Sequence, residues 1–187
     1  MITNRSPNSP ATASTQAGTL RGLRSAPEMA PDVTVEDAEG RQHQLPLIAQ
    51  KWLTGGRVEV ARPTLPVTWP GSMARASREL TFRLHSDVAP AFVEVSIWGG
   101  GVADSGAPVG EPARVVKFSR SPNPGHQLIT ARGGLVPLAA ELPSGDVFHV
   151  AVWASWPVPE RDWRRRGLTE APGDSHATWW TVARVVS

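Results

Sequence analysis

The stretch LPSGDVFHVAVWA, residues 142–154, decides the fold of this chain. Pro143 and Gly145 favour a turn, because proline restricts its own φ and glycine tolerates backbone conformations that other residues avoid. After the turn every second residue from Phe148 to Ala154 is apolar, and alternate residues of a strand point to the same face of a sheet. The stretch therefore predicts a turn followed by a strand with one apolar face.

The same alternation recurs on both sides of this stretch. ELTFRLH (residues 79–85) and FVEVSIW (residues 92–98) each place apolar residues at every second position. Further strands are predicted at residues 33–36, 41–47, 57–62, 113–119, 126–132, 135–142, 147–155 and 178–186, with a hairpin turn at residues 37–40. Eighteen prolines and 17 glycines leave little room for long helices, although AQKWL (residues 49–53) suits one helical turn. The chain is therefore predicted to be all-β, a sandwich or a barrel.

Residues 1–30 differ in composition from the rest of the chain. They are rich in Ser, Thr, Pro and Ala and have almost no bulky apolar side chains, so they bury too little surface to offset the entropy of an ordered chain. We predict a disordered tail over residues 1–30 and one domain over residues 31–187. Within that domain, residues 31–75 form N-terminal strands and residues 76–187 form the sandwich core.

Composition and charge exclude several classes of function. The chain has no cysteine, which rules out disulfides, zinc–thiolate sites and thiol nucleophiles. The net charge is +2, and residues 1–30 carry that excess, because 16 basic and 16 acidic residues balance in the remainder. Nucleic-acid binding depends on concentrated positive charge, so no nucleic-acid partner is predicted. No apolar run reaches the length of a signal peptide core or a membrane span, and we expect a cytoplasmic protein that does not contact membranes.

Residues 142–154 resemble the corner between strands E and F of fibronectin type III and related immunoglobulin-like domains. In that family a Leu-x-Pro-Gly-like turn leads into an aromatic residue and alternating valines. The resemblance implies an antiparallel β-sandwich over roughly residues 76–186, with strands B, C, E and G at residues 79–85, 92–98, 135–142 and 178–186. The family usually has tyrosine at the corner, whereas this chain has Phe148 and no tyrosine at all. Because such sandwiches carry many unrelated functions, the resemblance implies no activity and no site residue.

Eight tryptophans are the unusual feature of the composition. Trp153, Trp156 and Trp163 lie in or beside a predicted long loop, residues 156–175, together with Arg164 and Arg165. Arginine that stacks on tryptophan either stabilises such a loop or forms part of a binding site. Both interpretations remain open at the level of sequence.

Strand parity predicts a binding surface. If Phe148 faces the core, then residues of the opposite parity on this strand and its neighbours face outward, and Trp180 joins them if Trp179 faces inward. An exposed apolar patch on a domain of this kind usually marks an interface, so we predict association with a protein partner or a second copy. The alternative is that residues 99–113 or residues 31–53 cover this face. The predicted binding residues are Trp98, His149, Trp153, Trp156, Trp163, Arg164, Arg165 and Trp180.

A second function class is carbohydrate binding, because tryptophan rings stack on sugars and β-sandwiches often carry such sites. An enzyme is not predicted, since the five histidines lack metal-binding spacing and no Gly-x-Ser-x-Gly motif is present. Residues 99–101 are glycines without the Gly-Lys-Ser/Thr ending of a phosphate-binding loop. The carboxylates Glu36, Asp37 and Glu39 are interrupted by Ala38 and lack the spaced pattern of a calcium loop, so they are interpreted as a solvated turn. No catalytic residue, cofactor or metal is therefore predicted.

Overall fold

The fold is described from a computed structural model, which covers residues 26–54, 56–64 and 73–186. These residues form twelve strands and one short helix, and the prediction of an all-β chain is confirmed. The strands are β1 (Asp32–Glu36), β2 (Gln42–Gln44), β3 (Leu47–Thr54), β4 (Arg57–Ala61), β5 (Met73–Ala76), β6 (Glu79–His85), β7 (Phe92–Trp98), β8 (Arg114–Ser119), β9 (Gln127–Leu128), β10 (Leu135–Glu141), β11 (Val147–Trp156) and β12 (Ser175–Val185), and the helix is α1 (Glu160–Arg165).

The strands form two sheets. The small sheet has the order β10-β6-β1-β2 and is antiparallel throughout. The large sheet has the order β4-β3-β12-β11-β7-β8-β9, and β5 adds to it by pairing in parallel with the second half of β12. Strand β12 therefore has β11 along one side, and β3 and then β5 along the other.

One apolar cluster lies between the two sheets. Inward residues alternate along each strand, as a half-buried strand requires, and Phe148 and Val150 are among them. The small sheet contributes Val33, Val35, Leu80, Phe82, Leu84, Val136, Leu138 and Ala140, and the large sheet contributes Val93, Val95, Ile97, Phe148, Val150, Val152, Ala154 and Trp179. The two sheets thus share a core in the manner of a β-sandwich.

Four elements differ from the sequence-based predictions. Residues 49–53 were expected to suit a helical turn, but they lie inside β3, with β12 on one side and β4 on the other. Backbone hydrogen bonds to a strand on each side outweigh the weak helical preference of this segment. The predicted strand at residues 126–132 is reduced to Gln127–Leu128, and neither β5 nor α1 was predicted.

The predicted tail lies mostly outside the described residues, which begin at Ala26. The end of that segment packs on the domain, because Ala26 and Ala30 contact the core. The indole nitrogen of Trp52 also donates a hydrogen bond to the carbonyl of Pro27 at 2.9 Å. Ordered contacts therefore begin before residue 31, where the domain was predicted to start.

Candidate binding surface

The outer face is defined here as the side of strands β7, β11 and β12 that points away from the core. The strand register places His149 opposite Trp98 and Val182, and it places Ala151 opposite Trp180. All three tryptophans of this surface are half-buried. The outer face comprises Phe92, Glu94, Ser96, Trp98, His149, Ala151, Trp153, Ser155, His176, Thr178, Trp180 and Val182.

The parity of the last strand settles which of two adjacent tryptophans reaches this surface. Trp179 lies opposite Val152 and is buried in the core, whereas Trp180 lies opposite Ala151 on the outer face. The register between β12 and β3 shifts between Thr178 and Trp179. Trp179 thus faces inward, which was the condition for Trp180 to join the outward residues.

Aromatic rings form a continuous row at one end of the outer face. The ring centroids of Phe92 and Trp153 are 5.7 Å apart at an interplanar angle of 62°. Phe92 also contacts His126 edge to face at 5.3 Å, and Trp153 lies 5.9 Å from the ring of His176. Such contacts hold the rings in place, so this end presents a preordered aromatic surface.

Residues 99–113 lie against the other end of the outer face. The indole nitrogen of Trp98 donates a hydrogen bond to the carbonyl of Gly110 at 3.2 Å, and His149 Nδ1 lies 3.1 Å from the carbonyl oxygen of Gly100. The loop exposes Val102 and Val109 to solvent. Residues 99–113, one of the two segments considered as a cover for the outward face, therefore lie next to Trp98 and His149 at this end.

Two of the predicted binding residues belong to the interior. Trp156 is 1% exposed and donates its indole N–H to the carbonyl of Val88 at 2.8 Å, while Trp163 is 8% exposed. Their expected place on a binding loop is wrong. Trp156 continues the inward series that starts at Phe148, and this parity was a signal that the sequence offered.

The segment between β11 and β12 is structured around α1. The guanidinium of Arg164 lies 5.2 Å from the ring centroid of Trp163, and its Nε lies 2.6 Å from Glu160 Oε1. Arg166 donates a hydrogen bond to the carbonyl of Leu53 at 3.0 Å, which ties α1 to β3. Arg165 is exposed on the same helix. The arrangement agrees with a loop stabilised by stacking of arginine on tryptophan.

The turn after β1 contains a buried carboxylate, where a solvated turn was expected. The side chain of Asp37 is fully enclosed. Its Oδ2 lies 2.7 Å from both Arg41 Nε and His43 Nε2, and its Oδ1 accepts the backbone N–H groups of Glu39 and Arg41. Burial acts to raise the pKa of Asp37, but the hydrogen bonds from His43 and Arg41 outweigh it and hold that pKa well below its usual range.

These contacts give the Asp37 carboxylate a structural role in closing the β1–β2 hairpin. Both oxygens already accept hydrogen bonds from the protein. Within the described ranges, no group of three or more histidine or acidic side chains is arranged to hold a metal ion. The helical content of these ranges likewise includes no segment with the length and apolar character needed to cross a bilayer.

Comparison with known proteins adds no assignment. No protein-family model, curated protein or solved structure matches this chain.

Proposed function

We propose that this protein is a non-catalytic association module that binds a protein partner through its outer face. The observation that carries the proposal is the location of Trp98, Trp153 and Trp180 on neighbouring strands, half-buried and on the side of the sheet away from the core. Tryptophan is the residue type most enriched among interface positions that dominate binding energy. Large aromatic side chains that the core does not use are suited to such a contact.

We further propose that the fold is an immunoglobulin-like or fibronectin-type-III-like sandwich. Three observed pairings support this. Strand β10 pairs with β6 as E pairs with B, while β7, β11 and β12 are adjacent as C, F and G are in that fold. The turn at Gly145 leads directly into β11, where the resemblance places the E–F corner.

The row formed by Phe92, Trp153 and His176 is the expected centre of the contact. Glu94 lies opposite both Trp153 and Lys117, so charged groups border the aromatic rings. An apolar centre with a polar border is the usual anatomy of a protein interface. Residues 99–113 border the contact on the other side through Trp98.

Carbohydrate binding is the competing function, and the structure gives it less support. Two of the three tryptophans expected to form its platform, Trp156 and Trp163, are buried. Only Trp153 of that set lies on the surface, and its neighbours Phe92 and His176 contact it directly.

The test compares the full-length protein with Trp153→Ser and with the double variant Trp98→Ser/Trp153→Ser. Met29→Ser is the matched control, because it also replaces an exposed apolar residue but lies beside Trp52, on the opposite side of the large sheet from the outer face. Partners are recovered from the source organism and purified, and each variant is then incubated with them. Mass photometry gives the masses of the complexes that form.

We expect a defined complex with wild type and with Met29→Ser, and at least a tenfold weaker one with Trp153→Ser. Unchanged binding by both tryptophan variants, with circular dichroism showing an intact fold, would overturn the proposal. Quenching of tryptophan fluorescence by an oligosaccharide panel, lost in Trp153→Ser, would support the carbohydrate function instead.

A further inference from the structure

We propose that β4 pairs in antiparallel fashion with β4 of a second copy of this chain, so that two large sheets join into one. The β4 edge is defined as the side of Arg57–Ala61 that faces away from β3. This contact is separate from the partner-binding role of the outer face.

The other sheet edges among the described residues are short, blocked or basic only. Strand β8 pairs with β9 only at Phe118 and Ser119, so Arg114–Lys117 also lacks a partner strand on that side. That stretch has no acidic residue to face its own basic residues in a second copy. Strand β2 has three residues and β9 has two. Strand β10 has Pro137 as the third of its seven residues, and proline offers no N–H to a further strand. Strand β5 has four residues, and its Arg75 carbonyl accepts a hydrogen bond from the N–H of Ala38 at 2.5 Å. These features protect edges against pairing with another chain.

Among the strands that the structure describes, β4 lacks this protection. It is the last strand of the large sheet, has five residues without proline, and is exposed at every position. Val58 and Val60 are 39% and 58% exposed. Valine favours strand pairing, so an open edge with two exposed valines is suited to receive a further strand.

The sequence of β4 is complementary to itself in one antiparallel register. A two-fold axis at Val58 places Val58 opposite its own copy and Arg57 opposite Glu59 of the second chain, twice. Opposite charges that face each other across two strands stabilise the pair, and like charges destabilise it. A parallel, in-register arrangement would instead place Arg57 beside Arg57 and Glu59 beside Glu59. This charge pattern selects a second copy as the occupant, with the symmetric contact typical of dimers.

The proposed dimer would also align the two outer faces. Val60 lies opposite Lys51, and Lys51 lies opposite His176 of the outer face. Two-fold axes that relate antiparallel strands in this register run perpendicular to the sheet, so both outer faces point to the same side. Each dimer would then present two aromatic rows to a partner, which raises the apparent affinity for a repeated or dimeric partner.

A charge exchange tests the register directly, with the full-length chain throughout. Arg57→Glu places glutamate opposite Glu59 of the second copy, and Glu59→Arg places arginine opposite Arg57. Each single variant should therefore dimerise roughly tenfold or more weakly than wild type in sedimentation equilibrium. The double variant Arg57→Glu/Glu59→Arg should restore the wild-type affinity, because both charge pairs return in reversed order.

Mixing the two single variants gives the most direct test of the register. A heterodimer of Arg57→Glu with Glu59→Arg has opposite charges at both pairs, whereas each homodimer has like charges. Native mass spectrometry should show mainly the heterodimer. Arg62→Glu is the control, since it changes the charge by the same amount just outside the strand and should leave the dimer unchanged.

Three results would overturn the proposal. They are a wild-type chain that stays monomeric into the high micromolar range, single variants that dimerise as tightly as wild type, and a mixture without preference for the heterodimer. A dimer that is insensitive to these changes but lost in Trp153→Ser would place self-association on the outer face. Loss of partner binding in Trp153→Ser with an intact dimer keeps the two contacts distinct.

Discussion

The indole rings of Trp52 and Trp156 meet edge to face in the interior, with centroids 5.2 Å apart and an interplanar angle of 64°. Trp52 lies on β3 and Trp156 at the end of β11, and both are almost fully buried. Their N–H groups donate to the carbonyls of Pro27 and Val88, respectively. The pair thereby connects the segment before β1, the β6–β7 loop and the large sheet.

A double-mutant cycle measures this contact. Trp52→Leu and Trp156→Leu should each lower the free energy of unfolding by about 2–4 kcal/mol, because each leaves a cavity. Trp52→Leu also removes the indole donor of the Pro27 carbonyl, whereas the Val88 carbonyl keeps a hydrogen bond from the Ser86 hydroxyl in Trp156→Leu. The double variant should lose less than the sum by about 0.5–1.5 kcal/mol. Urea unfolding followed by circular dichroism gives the values. Trp180→Leu, at a half-buried position, should cost less than either, and strictly additive losses would show that the rings do not interact.

Gly145 is predicted to resist substitution. Its φ is +146°, and an added Cβ would lie 2.9 Å from Cζ of Phe148. Gly145→Ala must therefore both strain the backbone and displace a core ring, at a cost of about 2–4 kcal/mol.

Gly125→Ala provides the matched control for that substitution. Gly125 has a φ of +77° but open space around its Cβ position, so only backbone strain of about 1–2 kcal/mol applies. Thermal and urea unfolding compare the two variants. Equal losses would mean that the Phe148 contact contributes nothing.

The lowered pKa of Asp37 predicts a specific dependence of stability on pH. Its pKa is lowered in the folded state, so its stabilising contribution is complete above the usual aspartate pKa of about 3.9. That contribution is lost as pH falls below this value towards the lower folded pKa. Asp37→Asn should therefore unfold more easily at pH 7, and its difference from wild type should shrink below about pH 4. Urea unfolding at a series of pH values gives the result, and a difference that is constant with pH would contradict this role.

The α1 segment allows a comparison of burial with surface charge. Trp163→Ala should destabilise the protein by about 3 kcal/mol, because its ring is almost fully buried. Arg164→Ala should cost only about 0.5–1 kcal/mol, since Arg164 and Glu160 are both largely exposed. Urea unfolding of both variants tests the structural interpretation of this loop. If Trp163→Ala were as stable as wild type, that interpretation would be wrong.

Strand faces were predictable because they depend only on local alternation. The inward positions of Leu80, Phe82 and Leu84 and the outward positions of Trp98 and Trp153 agree with parity. Parity was ambiguous for Trp179 and Trp180, since both are apolar and adjacent. Parity alone predicts that Trp156 faces the core. The loop predicted from residue 156 onward placed it among the binding residues instead.

The alternation of apolar residues by itself determined that this chain is all-β and which side of most strands meets the core. Only the tertiary structure decided that residues 49–53 are a strand, that Trp163 is buried, and that β4 ends the large sheet. The physical reason is that strand order and edge position depend on backbone pairing between residues far apart in the chain, such as Lys51 with His176. Local preference carries no information about which neighbour a strand will find.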